Sequence, residues 1–416
     1  MYHVRGAPVA SDDGRSSGPF IIDHQVIQGF RSLVLDVPEK TVPAESTENA
    51  PETTQAAPSA DASQDEAGPA PAEERTKTTR VEVVRQSAQG DASSGEEDDK
   101  EEEGVEDSEI LEDLPDETED IELIHSRLNS TSISKLGLPR FGGHLKRLCL
   151  RQNFISHLDP DIFGALEKME DLDFYDNKIK HVGSALNNMS NLTTLDLSFN
   201  LLKHVPEELG THLKSLKTVF FVQNKISHIA NLSGLAATLR SLELGGNRIR
   251  RIEGLDALVN LEELWLGKNK ITKLEGLENL KKLKILSIQS NRITKLEGLE
   301  GLENLEELYL SHNGIQKLEG LEKNVKLRTL DVGTNFIEVL ENISHLTALE
   351  ELWINDNKIS TLQDLEPQLK HIASLETVYL EGNPVQAAEG AHYRRKVILA
   401  LPQIQQLDAT YVKQPS

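Results

Sequence analysis

The stretch LWLGKNKITKLEGLENLKKL, residues 264–283, decides how the whole chain is read. Leu264 and Leu266 flank Trp265, Asn269 follows, and Ile271 and Leu274 continue the apolar series. Working outward, the same LxLxxNxIxxI unit recurs with its asparagine at 153, 177, 200, 224, 247, 269, 291, 313, 335, 357 and 383. The gaps are 24, 23, 24 and 23, then five of 22, then 26. An earlier degenerate copy, IELIHSRL (121–128), carries Ser126 where the asparagine belongs, making about twelve units.

That period is the leucine-rich-repeat period. Each LxL reads as a short strand whose leucines face a core while the residues between and beside them face out. Strands stacked about 4.8 Å apart form a parallel sheet along a concave wall. The asparagine turns inward to satisfy backbone groups of its own bend and of the next coil. All eleven are therefore structural. The return segment, LEGLENL, is too short for a long helix and predicts 3-10 or single-turn helix on the convex side. The fold class is α/β: a leucine-rich-repeat solenoid with a parallel concave sheet, closed by a C-terminal helical cap and preceded by a disordered acidic arm.

The ends follow from where the repeat fails. Beyond Asn383-Pro384, the segment His392–Leu401 predicts a helix with Tyr393, Val397 and Leu401 on one face, stopped by Pro402. A last strand-like turn, IQQLDATYV, follows. Residues 121–145 must cover the first repeat. The organisation is an arm at 1–115, a solenoid at 116–383 and a cap at 384–416.

The chain has 416 residues and a formal net charge of −24. Between Asp91 and Asp120 there are 17 acids and one base, Lys100. Pro38–Glu74 is an aperiodic Pro/Ala/Glu/Ser/Thr mixture, and such segments bury too little apolar surface to order themselves. Phe20–Pro38 is the apolar exception within the arm. The acidity makes nucleic acid and anionic membranes poor partners. The one cysteine, Cys149, excludes an internal disulfide framework and suits a reducing compartment. No 18-residue apolar run and no signal-peptide core occur, so a soluble nuclear or cytoplasmic protein is expected.

Residues at a fixed offset from the asparagine form columns. Four before it come Cys149, Asp173, Asp196, Phe220, Glu243, Trp265, Ser287, Tyr309, Asp331, Trp353 and Tyr379. Six before it lie Asp171, Glu263, Glu307 and Glu351. One reading is that aromatics favour strands and acids keep an exposed sheet soluble. The other is that ring anchors among acids form a protein-binding surface, and rings aligned on an exposed wall favour it. Four after the asparagine, His157, His181, His204 and His228 give way to Arg251, Lys273, Lys295 and Lys317. Six after it run Glu253, Glu275, Glu297, Glu319 and Glu341, so a solvated ladder of opposite charges is expected. The histidines lack a carboxylate or thiol set, and no metal or cofactor is expected. Walker, GxGxxG, HExxH and CxxC motifs are absent, so no catalytic site is expected. Arg394, Arg395 and Lys396 read as a solvated helix face. Ser93 and Ser94 precede acids and suit an acid-directed kinase.

The repeats LCLRQNFI (148–155), LDLSFNLL (195–202), LELGGNRIR (242–250), LGKNKITKL (266–274), LYLSHNGI (308–315) and LETVYLEGNP (375–384), then YRRKVILALP (393–402) and DATYV (408–412), resemble the leucine-rich-repeat regulatory subunits of protein phosphatase-1, the regulatory subunit 7 family. The resemblance spans residues 121–413. It implies a non-catalytic subunit that binds the phosphatase catalytic subunit through Asp196, Phe220, Glu243, Trp265, Asp331, Glu351, Trp353 and Tyr379. Trp265 stands where the family has phenylalanine. It further implies a metal-poor, inactive catalytic subunit, joint action with inhibitor-3, location in the nucleus and cytoplasm, and influence on mitosis and chromosome segregation. The basic–Val–x–Phe docking motif of many phosphatase-1 partners is not met by Arg80-Val81-Glu82-Val83, which lacks the aromatic. The rival reading is a scaffold of a spliceosomal or ciliary (axonemal) complex, built from similar short repeats.

Overall fold

The computed structural model describes residues 80–82 and 110–412. Phe20–Pro38, Ser93, Ser94 and most of the 1–115 stretch lie outside the described residues. Among the described residues one sheet of 15 strands runs in chain order, each strand beside its sequence neighbour. It begins with β1 (Arg80–Glu82), β2 (Asp120–Glu122), β3 (Arg147–Cys149), β4 (Asp171–Asp173) and β5 (Thr194–Asp196). The middle is β6 (Thr218–Phe220), β7 (Ser241–Glu243), β8 (Glu263–Trp265), β9 (Ile285–Ser287) and β10 (Glu307–Tyr309). It ends with β11 (Thr329–Asp331), β12 (Glu351–Trp353), β13 (Thr377–Tyr379), β14 (Gln406–Leu407) and β15 (Thr410–Tyr411). Pairing is parallel from β1 to β14, and β15 turns back antiparallel on β14.

From β2 to β13 the middle residue of each strand is the core leucine or its equivalent, so its two neighbours face the wall. Leu264 and Leu266 are buried on either side of Trp265, and one apolar cluster extends from Leu111 to Leu407. The asparagine ladder closes each bend. Asn269 Oδ1 accepts from the Ile249 N–H at 3.0 Å, and its Nδ2 lies 2.9 Å from Leu244 O, 3.0 Å from Leu266 O and 3.3 Å from Gly267 O. Two of those four partners belong to the preceding coil. The bond therefore reaches backward, where the sequence reading expected the next coil. The residue before every ladder asparagine has positive φ, from 52° at Thr334 to 72° at Gly382. That left-handed residue aims the amide inward. In the degenerate first coil His125 keeps the conformation, at φ 52°, while the Ser126 Oγ donates to Ile124 O at 3.3 Å.

On the convex side the expected short helices occur only in the longer coils. Pro160–Phe163, Glu208–His212 and Leu365–Leu369 are single α-turns, and Gly183–Leu186 and Ser233–Leu235 are 3-10 turns. The 22-residue coils have no room for one. There the return is a pair of turns, as where the Leu280 N–H donates to Leu277 O and the Leu283 N–H to Leu280 O, each at 3.0 Å. Entry to those turns demands a left-handed residue at close quarters. Gly276 has φ 68°, and a Cβ there would lie 2.6 Å from Ile252 O of the coil before. Asn231 and Asn342 fill the same position elsewhere, and each donates its Nδ2 to the preceding coil, to Val205 O and Leu318 O at 2.9 Å.

Asn324 occupies a convex position that holds leucine in neighbouring coils, and it is fully buried. Its Nδ2 donates to Leu299 O and Leu302 O at 3.1 and 3.0 Å, but its Oδ1 has no partner. Those two carbonyls already accept the Leu302 and Leu305 N–H groups. Asn324→Leu should therefore stabilise the solenoid by about 1–2 kcal/mol, read as a rise in the urea midpoint at unchanged slope.

Both ends differ in detail from the sequence reading. Arg80–Glu82 lies within the 1–115 stretch read as a disordered arm, yet forms the first strand of the sheet. Leu111, from the same stretch, is buried in the core, and the Arg140 guanidinium donates to Leu111 O and, at 3.0 Å, to Leu114 O. Asn129 caps the helix Ser130–Lys135, accepting from the Thr131 and Ser132 N–H groups. The cap helix spans Tyr393–Ala400, with Tyr393, Val397 and Leu401 buried as the four-residue spacing predicts. Arg394 is not a free surface cation. Its guanidinium donates to Leu407 O, Thr410 O and Tyr411 O, fastening the β14–β15 hairpin. On the edge, Arg251 pairs with Glu275 at 3.0 Å, Lys273 with Glu297 at 3.7 Å and Lys295 with Glu319 at 4.0 Å, each base meeting the acid of the following coil.

Candidate protein-binding wall

The third residue of each strand from β3 to β13 forms the column singled out above. Seven of the eight residues implied by the resemblance sit there: Asp196, Phe220, Glu243, Trp265, Asp331, Trp353 and Tyr379. Glu351 is the first residue of β12 and faces the same side. The wall is less open than the sequence reading supposed. Glu243, Ser287, Tyr309 and Asp331 are buried, and the other wall rings are half-buried. Residues one strand apart lie close enough to cover one another, and small side chains between large ones let the rings lean together.

That leaning produces a ribbon. Trp265 stacks on Tyr309 across the buried Ser287, with centroids 6.5 Å apart and planes 18° apart. Tyr309 meets Trp353 edge-on across Asp331 at 6.4 Å, and Trp353 meets Tyr379 at 5.7 Å. Such contacts contribute about 0.5–1.5 kcal/mol each beyond area burial. Tyr309 is the centre of the ribbon although the resemblance assigns it no contact. Its place in the same column is the signal that finds it.

The acids at the first strand position hold the polar tips of these rings. Tyr309 Oη donates to Glu307 Oε2 at 2.7 Å, and Trp353 Nε1 donates to Glu351 Oε2 at 3.1 Å. At the far end Gln406 Nε2 donates to Tyr379 Oη at 2.7 Å. Trp265 breaks the pattern. Glu263 stands where Glu351 stands for Trp353, but it accepts from Ser241 Oγ of the preceding strand at 2.9 Å. Trp265 Nε1 is left buried without an acceptor. A buried donor in that state costs about 1–3 kcal/mol.

Toward the N-terminal coils the wall is acidic. Arg151 reaches Asp173 Oδ2 at 3.1 Å and Asp196 Oδ2 at 3.7 Å, while its guanidinium lies 4.3 Å from the Tyr175 ring centroid. Tyr175 in turn packs against Phe199 at 4.8 Å. Burial, reinforced by the Asp196 charge, pushes the Asp173 carboxyl up to about 7. Burial together with the Asp196 and Glu263 charges pushes Glu243 up to about 8. Asp171 and Asp196 are raised for the same leading reason. Phe220 lies in register between Asp196 and Glu243.

Cys149 begins the column. Burial and the Asp173 charge push its thiol up to about 12, and its Sγ faces Asp173 Oδ2 at 3.9 Å. It should resist iodoacetamide at pH 8 for hours under native conditions and react within minutes in urea, as followed by intact mass. His157, His181, His204 and His228 are all exposed. Among the described residues no group of three or more His, Cys, Asp or Glu is placed to hold a metal ion, and no helix is long and apolar enough to cross a membrane.

Family models described as leucine-rich repeat match residues 143–202, 190–249 and 300–416, and a two-copy version matches 237–279 and 259–301. The chain belongs to the leucine-rich-repeat proteins. Solved solenoids agree in fold. An internalin from Listeria monocytogenes aligns with a TM-score of 0.56 at 23% identity, covering 74% of this chain and 89% of that one. A leucine-rich-repeat protein from Leptospira interrogans aligns with a TM-score of 0.55 at 24% identity, covering 70% and 83%. At these identities the likeness concerns the fold alone.

Curated relatives are more specific over shorter stretches. The protein phosphatase 1 regulatory subunit SDS22 of Saccharomyces cerevisiae is 50% identical over 93 residues, 22% of this chain and 27% of the relative. Its Schizosaccharomyces pombe namesake is 48% identical over 86 residues, covering 21% and 24%. Protein phosphatase 1 regulatory subunit 7 of Mus musculus is 61% identical over 46 residues, covering 11% and 12%. The matched stretch thus spans about a quarter, or less, of each relative's length. The names agree with the resemblance read from the repeats themselves.

Proposed function

We propose that this leucine-rich-repeat protein is a non-catalytic regulatory subunit that binds the protein phosphatase-1 catalytic subunit through its concave wall. The relatives' names support the partner. The observation that carries the mode of binding is the Trp265–Tyr309–Trp353–Tyr379 ribbon, which ends in a buried Trp265 N–H without an acceptor. Ring anchors supply binding energy, and the acids beside them set orientation and association rate. Control of the phosphatase's activity or maturation, a ternary complex with inhibitor-3, location in nucleus and cytoplasm, and roles in mitosis and chromosome segregation belong to the same proposal and rest on the resemblance alone.

The test is calorimetric titration of purified phosphatase-1 catalytic subunit, metal-loaded and metal-depleted, into wild type and a folded Trp265→Ala/Trp353→Ala variant. Anchors of this kind contribute about 2 kcal/mol each, so the double variant should bind at least about 100-fold more weakly. Equal binding by both would move the interface off the wall. No binding by wild type to either form of the enzyme would favour the scaffold reading.

A further inference from the structure

The two ends of the sheet are closed in different ways. At the C-terminal end, β15 follows β14 immediately in a hairpin, and Arg394 fastens both strands to the cap helix. At the N-terminal end, β1 arrives from a distance. It pairs in parallel with β2, Arg80 opposite Asp120, Val81 opposite Ile121 and Glu82 opposite Glu122, across the interval 83–119. No other interval between consecutive strands of this sheet is as long.

Without β1, the outer edge of β2 would present unpaired N–H and C=O groups, the usual template for strand addition. The strand that covers it, Arg80–Glu82, lies within the sequence TRVEVV (79–84), which is dense in β-branched residues and suits an extended strand. Its hold is slight: a three-residue pairing, with neighbours on one side only. The interval behind it overlaps the stretch with 17 acids and one base. A segment held so loosely exchanges.

We infer that the outer edge of β2 is a strand-addition site for an extended peptide, and that Thr79–Val84 of the same chain is its exchangeable occupant. The inference is independent of the phosphatase reading, because it concerns the end of the sheet and none of the wall residues.

The experiment uses the full chain and a variant lacking residues 79–84, with a fluorescent peptide of sequence Thr78–Arg85 as probe. The peptide should bind the deletion variant at least about 30-fold more tightly than wild type, and a Val81→Pro peptide should not bind. In wild type, hydrogen exchange should show amides within 119–123 whose protection is lost in the variant. That readout needs no trans binding and stands if the variant's affinity is hard to measure. Equal peptide affinity for both proteins, absence of binding to a folded variant, or unchanged protection would each overturn the assignment. Protection in wild type that vanishes on dilution, together with a dimer by light scattering, would replace the cis segment by a second copy and overturn it as well.

Discussion

Asn269→Ala is expected to lower the unfolding free energy by about 4 kcal/mol. The side chain makes four hydrogen bonds in a site that is 8% exposed. Alanine leaves the Ile249 N–H without its acceptor and opens a small void, and each orphaned buried group costs about 1–3 kcal/mol. Asn269→Asp should be worse still. It keeps the acceptor for Ile249 but aims a carboxylate oxygen at the carbonyls of Leu244, Leu266 and Gly267, where three donated hydrogen bonds had been. Coils contact only their neighbours, so the damage should be local. Urea unfolding should shift to lower midpoint, and hydrogen exchange should accelerate first at Ile249 and the coils beside it. A variant as stable as wild type would show that core leucines alone hold the coils in register.

Stability should also fall as pH rises from 5.5 to 8.5, with Glu243 the main cause. The folded protein keeps the Glu243 proton up to about pH 8, whereas an unfolded chain releases it near the ordinary glutamate value of 4.5. Asp173, pushed from 3.8 to about 7, acts in the same sense. Between those limits the folded state binds more protons than the unfolded one, so raising the pH favours unfolding. For Glu243 alone the full window corresponds to about 5 kcal/mol, lost progressively between pH 4.5 and 8 and no further above it. Glu243→Gln should flatten most of this dependence and match or exceed wild type at pH 8.5. The measurement is the urea midpoint at five pH values for both proteins. A wild-type curve that rises toward pH 8.5 would mean that Glu243 is ionised and compensated in the folded state. A basic group on a bound partner would reverse the linkage locally by drawing the Glu243 proton off.

The repeat was legible because every coil states the same constraints in the same order. Leu264, Leu266, Asn269, Ile271 and Leu274 each answer to a backbone geometry that recurs eleven times, and period alone assigns strand, bend and core. The cap helix was legible for the same reason, since Tyr393, Val397 and Leu401 keep helical spacing up to Pro402. The ends were harder. β1 lies in a segment whose composition is that of an arm, and only pairing with a strand far along the chain makes Arg80–Glu82 regular. The convex helices were overestimated because room for a turn depends on one or two residues of coil length, which periodicity blurs.

For the wall, the column of residues was determined by sequence, while the state of each side chain was not. LEELW occurs twice, at 261–265 and 349–353, with the same glutamate two residues before the same tryptophan. Trp353 donates to its Glu351, yet Trp265 has no acceptor, because Ser241 on the preceding strand takes Glu263 while Thr329 stands in that place beside Glu351. Likewise, Ser287 and Asp331 decide that three rings two coils apart can touch. Local sequence determines which way a side chain leaves the backbone. Whether it is paired, stacked or left wanting a partner depends on what the next coil, more than twenty residues away in the chain, places about 5 Å from it.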